Sequence, residues 1–290
     1  MRRTPFYRCH PAFSLLYFAS MLVFIMLLPH PVMLLIGFST GLAYTLYLQG
    51  AEKTLRDLWY LVPIGLLTAI MNPLFNHQGA TILLYLPSGN PLTLQAIAYG
   101  LAAGVMMAAV IMWFTCLNRI ITADKVVYLG SRLTPSLAMV LALTLRFVPD
   151  FLERFRAVAA SRQLLSPGQG RMKQALVSLQ VMVGWALEGA VVTADSMKSR
   201  GYGLPGRRSY SVYRFTTTDA VLTVMVAAAD VYLAMLAATG RLAWQYYPTL
   251  TGRLDGWAFS GAAVYMALGL LPLAVSLRED AIWRSYPSVI

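Results

Sequence analysis

Long uncharged stretches organise this chain. Residues 9–51, 58–118 and 256–277 contain no Asp, Glu, Lys or Arg, and each is mostly apolar. An ionised group in hydrocarbon costs roughly 3 kcal/mol or more and a spanning helix needs about 20 apolar residues, so these blocks read as bilayer segments. Six spans are predicted, over 11–28, 32–48, 58–71, 92–117, 219–239 and 257–277. The first two form a tight hairpin about Pro29-His30-Pro31. Because the apolar run continues past that break with no small-residue cleavage site, the N-terminal segment reads as a span and not as a secretory signal.

Between the fourth and fifth spans the pattern changes. Apolar residues at 172, 176, 179, 183, 186, 187, 190, 194 and 197 recur with helical spacing, with Lys173, Gln174, Ser178, Glu188, Asp195 and Lys198 on the other faces. A second stripe, Leu137, Val140, Leu141, Thr144, Phe147, Val148 and Phe151, belongs to a helix over 136–162 in which Pro149 should introduce a kink. These are two amphipathic helices of about 40 Å each by the rise per residue, lying against the membrane or a partner. The fold class is therefore all-α: a polytopic helical membrane protein of about six spans plus cytosolic amphipathic helices. Three regions follow: a membrane part over 1–118, a coupling region over 119–215 and a second membrane part over 216–290.

Composition and charge agree. The 290 residues are 58% hydrophobic and only 12% charged, which excludes an ordinary water-soluble domain. The net charge of +11 is concentrated, since residues 119–214 hold 14 Lys or Arg against 5 Asp or Glu. Basic residues beside spans mark the cytosolic side, which places both termini, Glu52 to Asp57 and the central region inside, and the basic-free stretch 75–90 outside. The loop over 240–255 also falls outside although it carries Arg241 and Arg253. No aromatic-plus-basic nucleic-acid module accompanies the charge, so the expected surface partner is the lipid bilayer and no nucleic acid. Cys9 and Cys116 imply no disulfide framework.

The two amphipathic helices end alike. One closes on Ser161, Arg162 and Gln163 before Ser166-Pro167-Gly168, the other on Ser199, Arg200 and Gly201 before Tyr202-Gly203. Helix physics alone makes each arginine a last-turn cation that favours the helix dipole, with Gly201 as a left-handed cap. The recurrence favours a second reading, in which each tip presents a five-donor guanidinium to an acidic or carbonyl-lined groove on a partner.

These features resemble the transmembrane T component of energy-coupling factor transporters, the vitamin and metal importers of prokaryotes. The resemblance covers nearly the whole chain and rests on His10-Pro11, on Asn72-Pro73-Leu74-Phe75-Asn76-His77-Gln78-Gly79, on Leu145-Arg146-Phe147-Val148-Pro149 and on Ala194-Asp195-Ser196-Met197-Lys198-Ser199-Arg200-Gly201-Tyr202-Gly203. In that family two coupling helices end in arginine-centred motifs, often Ala-Arg-Gly, that dock on paired ATPases. Arg200 matches that motif, whereas Gln163 stands after Arg162 where glycine is common. The resemblance implies two ABC-type ATPase subunits at the cytosolic face, a small substrate-binding membrane protein, and a place in a prokaryotic cell's plasma membrane. It also implies docking roles for Ser161, Arg162, Gln163, Ser199, Arg200 and Gly201.

The chain has no Gly-x-x-x-x-Gly-Lys-Ser/Thr loop, so ATP hydrolysis is expected in another subunit, and no catalytic residue or cofactor is assigned. His10, His30 and His77 lack metal-ligand spacing, so no metal site is assigned either, although His77 lies in a segment expected to pack against a substrate-binding partner. Asp230, inside the fifth span, is open to a helix-facing structural role or a transport role. Two other function classes compete. A lipid-modifying membrane enzyme needs paired acids for a metal-bound phosphate, but Asp150 and Glu153 sit among Arg146, Arg154 and Arg156. A stand-alone permease should carry polar residues along several spans, and the first four predicted spans have no charge.

Overall fold

The structure is a computed structural model that describes residues 5–76, 78–85, 91–165, 170–205, 213–252 and 255–285. Its helices in chain order are α1 (Pro5–Arg8), α2 (Pro11–Leu27), α3 (Pro31–Gln49), α4 (Ala51–Phe75), α5 (Leu94–Ile120), α6 (Ala123–Leu133), α7 (Pro135–Leu165), α8 (Arg171–Ser199), α9 (Thr217–Ala238) and α10 (Gly256–Ser285). Two small antiparallel pairs sit between helices: β1 (Ile82–Tyr85) with β2 (Pro91–Thr93), and β3 (Trp244–Gln245) with β4 (Thr251–Gly252). Among the described residues, seven helices are long and apolar enough to cross a membrane, namely α3, α4, α5, α7, α8, α9 and α10. The chain is an all-α polytopic membrane protein.

The sequence reading and the structure differ in four places. The 17-residue α2 is shorter than the other spans, whereas α7 and α8, read as amphipathic, meet the length and composition of spanning helices. Glu52, Lys53, Arg56 and Asp57, read as an island between spans, form the first turns of α4; Gly50, at φ 84°, makes the break instead. Helix α6, with Asp124 in its first turn, lies in what read as undivided basic sequence. Finally, α7 runs unbroken through Pro149, as α4 does through Pro63 and α10 through Pro272.

The chain forms two units, one of Met1–Thr122 with Tyr213–Ile290 and one of Ala123–Val212. The first unit has an aromatic core. Phe6 packs against Phe13 and edge-on against Tyr17 at 5.5 and 5.3 Å, and Trp113 meets both Tyr17 and Phe18 at 6.1 Å. Glycines admit these large rings. A Cβ on Gly41 would stand 2.9 Å from Trp113 Nε1, and the Trp113 indole N–H donates to the Gly37 carbonyl at 2.9 Å. Between α4 and α5 the backbones themselves touch: a Cβ on Gly100 would lie 2.4 Å from the Ala69 carbonyl oxygen, and one on Gly104 2.6 Å from that of Gly65. Small residues at every fourth position thus replace side-chain interdigitation, as in other bilayer helix pairs.

Hydrogen bonds sort this unit into two ends. At one end the His10 N–H donates to Asp219 Oδ1 at 3.1 Å, the Tyr47 hydroxyl to Asp280 Oδ2 at 2.8 Å and Arg119 Nη2 to Gln49 Oε1 at 3.3 Å. Arg119 and Thr216, close to where the chain leaves the unit after Thr122 and re-enters it at Tyr213, belong to this end. At the other end Asn72 donates to the Ala96 carbonyl and to Tyr247, the Ala80 N–H to the Pro248 carbonyl, and the Tyr246 hydroxyl to the Pro29 carbonyl at 2.7 Å. Burial and neighbouring Tyr99 push the Tyr246 phenol up to about 12, so it remains a donor at neutral pH.

Candidate docking site

Both arginine-centred tips lie in the second unit. Arg162 occupies the last turn of α7 and is half-buried; Ser161 turns inward to its own helix, its hydroxyl donating to the Ala157 carbonyl at 2.9 Å, and Gln163 is exposed. Beyond it Leu164 and Leu165 stand 84% and 79% exposed, an apolar end that ordinary solvent exposure would not favour. Ser166, the start of the expected turn, is outside the described residues.

The α8 tip is fully defined. Arg200 is the C-cap and Gly201 follows at φ +77°. The Tyr202 N–H donates to the Met197 carbonyl and the Gly201 N–H to the Lys198 carbonyl, both at 2.9 Å. This paired bonding satisfies the last-turn carbonyls and requires a left-handed residue at position 201. Arg200 and Ser199 are both exposed. Tyr202 and Leu204, 46% and 65% exposed, give this tip an apolar shoulder like that of α7.

The relation between the tips follows from where the helices meet. The Phe151 ring packs edge-on against Trp185 at 5.3 Å, and the Arg154 guanidinium lies 3.9 Å over the same indole. From that contact the end of α7 and the start of α8 are each about 20 Å away by the helical rise. The six steps from Leu165 to Arg171 span at most about 20 Å, which forces those two arms to within roughly 60° of each other. The opposite arm of α8, ending at Arg200, therefore points away from the Arg162 arm, and the tips lie about 30 Å or more apart. The two arginines do not form one site.

Much of each stripe read from the sequence faces outward, although Phe147 and Phe151 of the α7 stripe are half-buried. Leu137, Val140 and Leu141 of α7 are 60%, 61% and 51% exposed, and on α8 Met172, Leu176, Leu179 and Leu187 are all more than half exposed. The covered face of α8 instead runs through Ser178 and Met182 to Trp185, positions outside the stripe read from the sequence.

The remaining candidates sit in the first unit. His10 and His30 are helix N-caps: Nδ1 of each accepts the N–H two residues on, at 3.2 and 3.3 Å. His30 is buried against the Trp244 ring at 5.1 Å, and burial lowers its pKa. Asp230 is half-buried on α9 beside Ser20 of α2, with Oδ1 lacking a hydrogen-bond partner. Arg241, on the loop whose charge opposed the topology, lays its guanidinium 4.3 Å over the Trp257 ring. His77 and Arg253 lie outside the described residues. Among the described residues no three His, Cys, Asp or Glu side chains gather as a metal site. No protein-family model and no curated protein matches this sequence.

Proposed function

We propose that the chain is the transmembrane coupling subunit of an energy-coupling-factor-type importer, carrying ATP-driven motion from two ABC-type ATPases to a small substrate-binding membrane protein that takes up a vitamin or a transition-metal micronutrient. The observation that carries this reading is the pair of arginine-ended helices packed together through Phe151 and Trp185, whose tips the helical rise sets about 30 Å apart. One ligand cannot bridge such a span with both guanidiniums, whereas two copies of a partner can each accept one tip. The exposed apolar faces of α7 and α8 offer a membrane partner a surface on the same helices that carry the tips. The basic excess of 119–214 supports a cytosolic side for this machinery, and the reading sets it in a prokaryotic cell with ATP hydrolysis in the partner subunits.

Tagged full-length protein, purified from its native membranes in mild detergent, should carry two ATPase polypeptides and one small membrane protein. Recovery of the intact chain alone, under conditions that preserve known importer complexes, would sink the proposal.

A further inference from the structure

A groove of about 460 Å³ opens between α3, α4 and α5 at the end where the chain leaves the first unit. Its polar wall includes Gln49, Asp57, Tyr60 and Arg119, and its apolar wall includes Ile64 and Ile111. Asp57 and Arg119 are the two charged residues that bound the uncharged stretch 58–118. The close backbone packing of α4 on α5 returns them to one groove, and charges that bound an uncharged stretch belong where hydrocarbon gives way to headgroups. Among the described residues the Arg119 guanidinium has no carboxylate partner; it donates to Gln49 at 3.3 Å and keeps its other donors available.

We propose that this groove binds the headgroup of phosphatidylethanolamine. A guanidinium suits the phosphate, as a planar donor fork for its oxygens, and the Asp57 carboxylate suits the primary ammonium, which has hydrogens to donate. The apolar wall of Ile64 and Ile111 continues into the span and accommodates the start of an acyl chain. Both signs of charge in one groove select a zwitterion. A purely anionic lipid meets the same arginine but is repelled by Asp57, and a choline headgroup offers Asp57 no N–H. The site is independent of the coupling role and rests only on the chain's residence in a bilayer.

The test is native mass spectrometry of the delipidated full-length protein, titrated together with phosphatidylethanolamine, phosphatidylcholine and phosphatidylglycerol of identical acyl chains. Phosphatidylethanolamine should load over the other two by roughly three- to tenfold, the range of a charge-assisted hydrogen bond discounted for partial exposure. Asp57→Asn should abolish the preference over phosphatidylcholine, and Arg119→Gln should lower loading of all three. These ratios are read within one spectrum, so a variant that folds in lower yield still reports. Ile64→Trp, at a side chain 43% exposed, should block the groove with little risk to the fold. Equal loading of the three lipids, preference for phosphatidylglycerol, or an unchanged preference in Asp57→Asn would each overturn the assignment. So would a groove that admits lipid only after a co-purifying protein is stripped away.

Discussion

Arg162, Arg200 and Gly201 carry the sharpest consequences for single residues. Arg162→Ala and Arg200→Ala should each impair ATP-driven uptake with membrane insertion unchanged, and the double variant should be worse, because loss of a charged contact from a desolvated interface costs about 2 to 5 kcal/mol. Normal uptake by the double variant with its ATPases bound would dismiss both assignments. Gly201→Ala forces a Cβ into the left-handed region at about 1–2 kcal/mol, so the tip should fray and uptake fall, while Gly201→Asn, which tolerates that conformation, should lose less. His30 offers a pH readout. Its pKa is held below 6.5 in the fold by burial, so the folded state takes up a proton less readily than the unfolded chain. The stability this supplies is complete above about pH 6.5 and is lost as pH falls below it. The difference in thermal unfolding between wild type and His30→Asn, which keeps a capping side chain without the titration, should be constant above neutrality and change as the solution is acidified, wild type losing stability the faster.

At the scale of helices, what was legible in the sequence was length and ending. The stretches 136–162 and 172–197 read from periodicity lie within α7 at 135–165 and α8 at 171–199. Which face packs was not legible, for a physical reason. In water the apolar face turns inward, but lipid is as apolar as leucine, so contact is decided by how closely backbones approach. Gly65, Ala69, Gly100 and Gly104 make the α4–α5 contact, and Ser178 lies on the covered face of α8, while Leu and Val point out. The tip residues were legible as a repeated ending; the distance between them was not, because it depends on the Phe151–Trp185 contact. Gly104→Val should therefore push α4 from α5 and lower the unfolding temperature in detergent, by the 1–3 kcal/mol typical of overpacking. Gly184→Ala, where an added Cβ meets nothing within 4 Å, should not. Equal effects would mean that the close approach is not what joins these helices.

For the whole molecule, the coupling reading requires both tips on the ATP side. In a background with Cys9 and Cys116 replaced, cysteines at the exposed positions Leu165 and Leu204 should resist an impermeant thiol reagent in intact cells and react after permeabilisation. One at Tyr85, on the β1–β2 hairpin and 68% exposed, should label in intact cells. Labelling of position 165 or 204 from outside would separate the tips from any ATPase and end the proposal.

The exit and re-entry of the chain at one end of the first unit also sets a schedule for biosynthesis. The Tyr17 hydroxyl donates to the Leu268 carbonyl at 2.8 Å, and the His10 N–H to Asp219, so the earliest helix waits for the latest ones. At about 5–20 residues per second, the second unit alone delays that closure by several seconds after α5 has emerged. Through that interval α2, α3 and α5 hold Tyr17, Tyr44 and Trp113 in the bilayer without the helix that later covers them. An insertion chaperone or the translocon itself would have its longest engagement with this protein while residues 123–212 are being made.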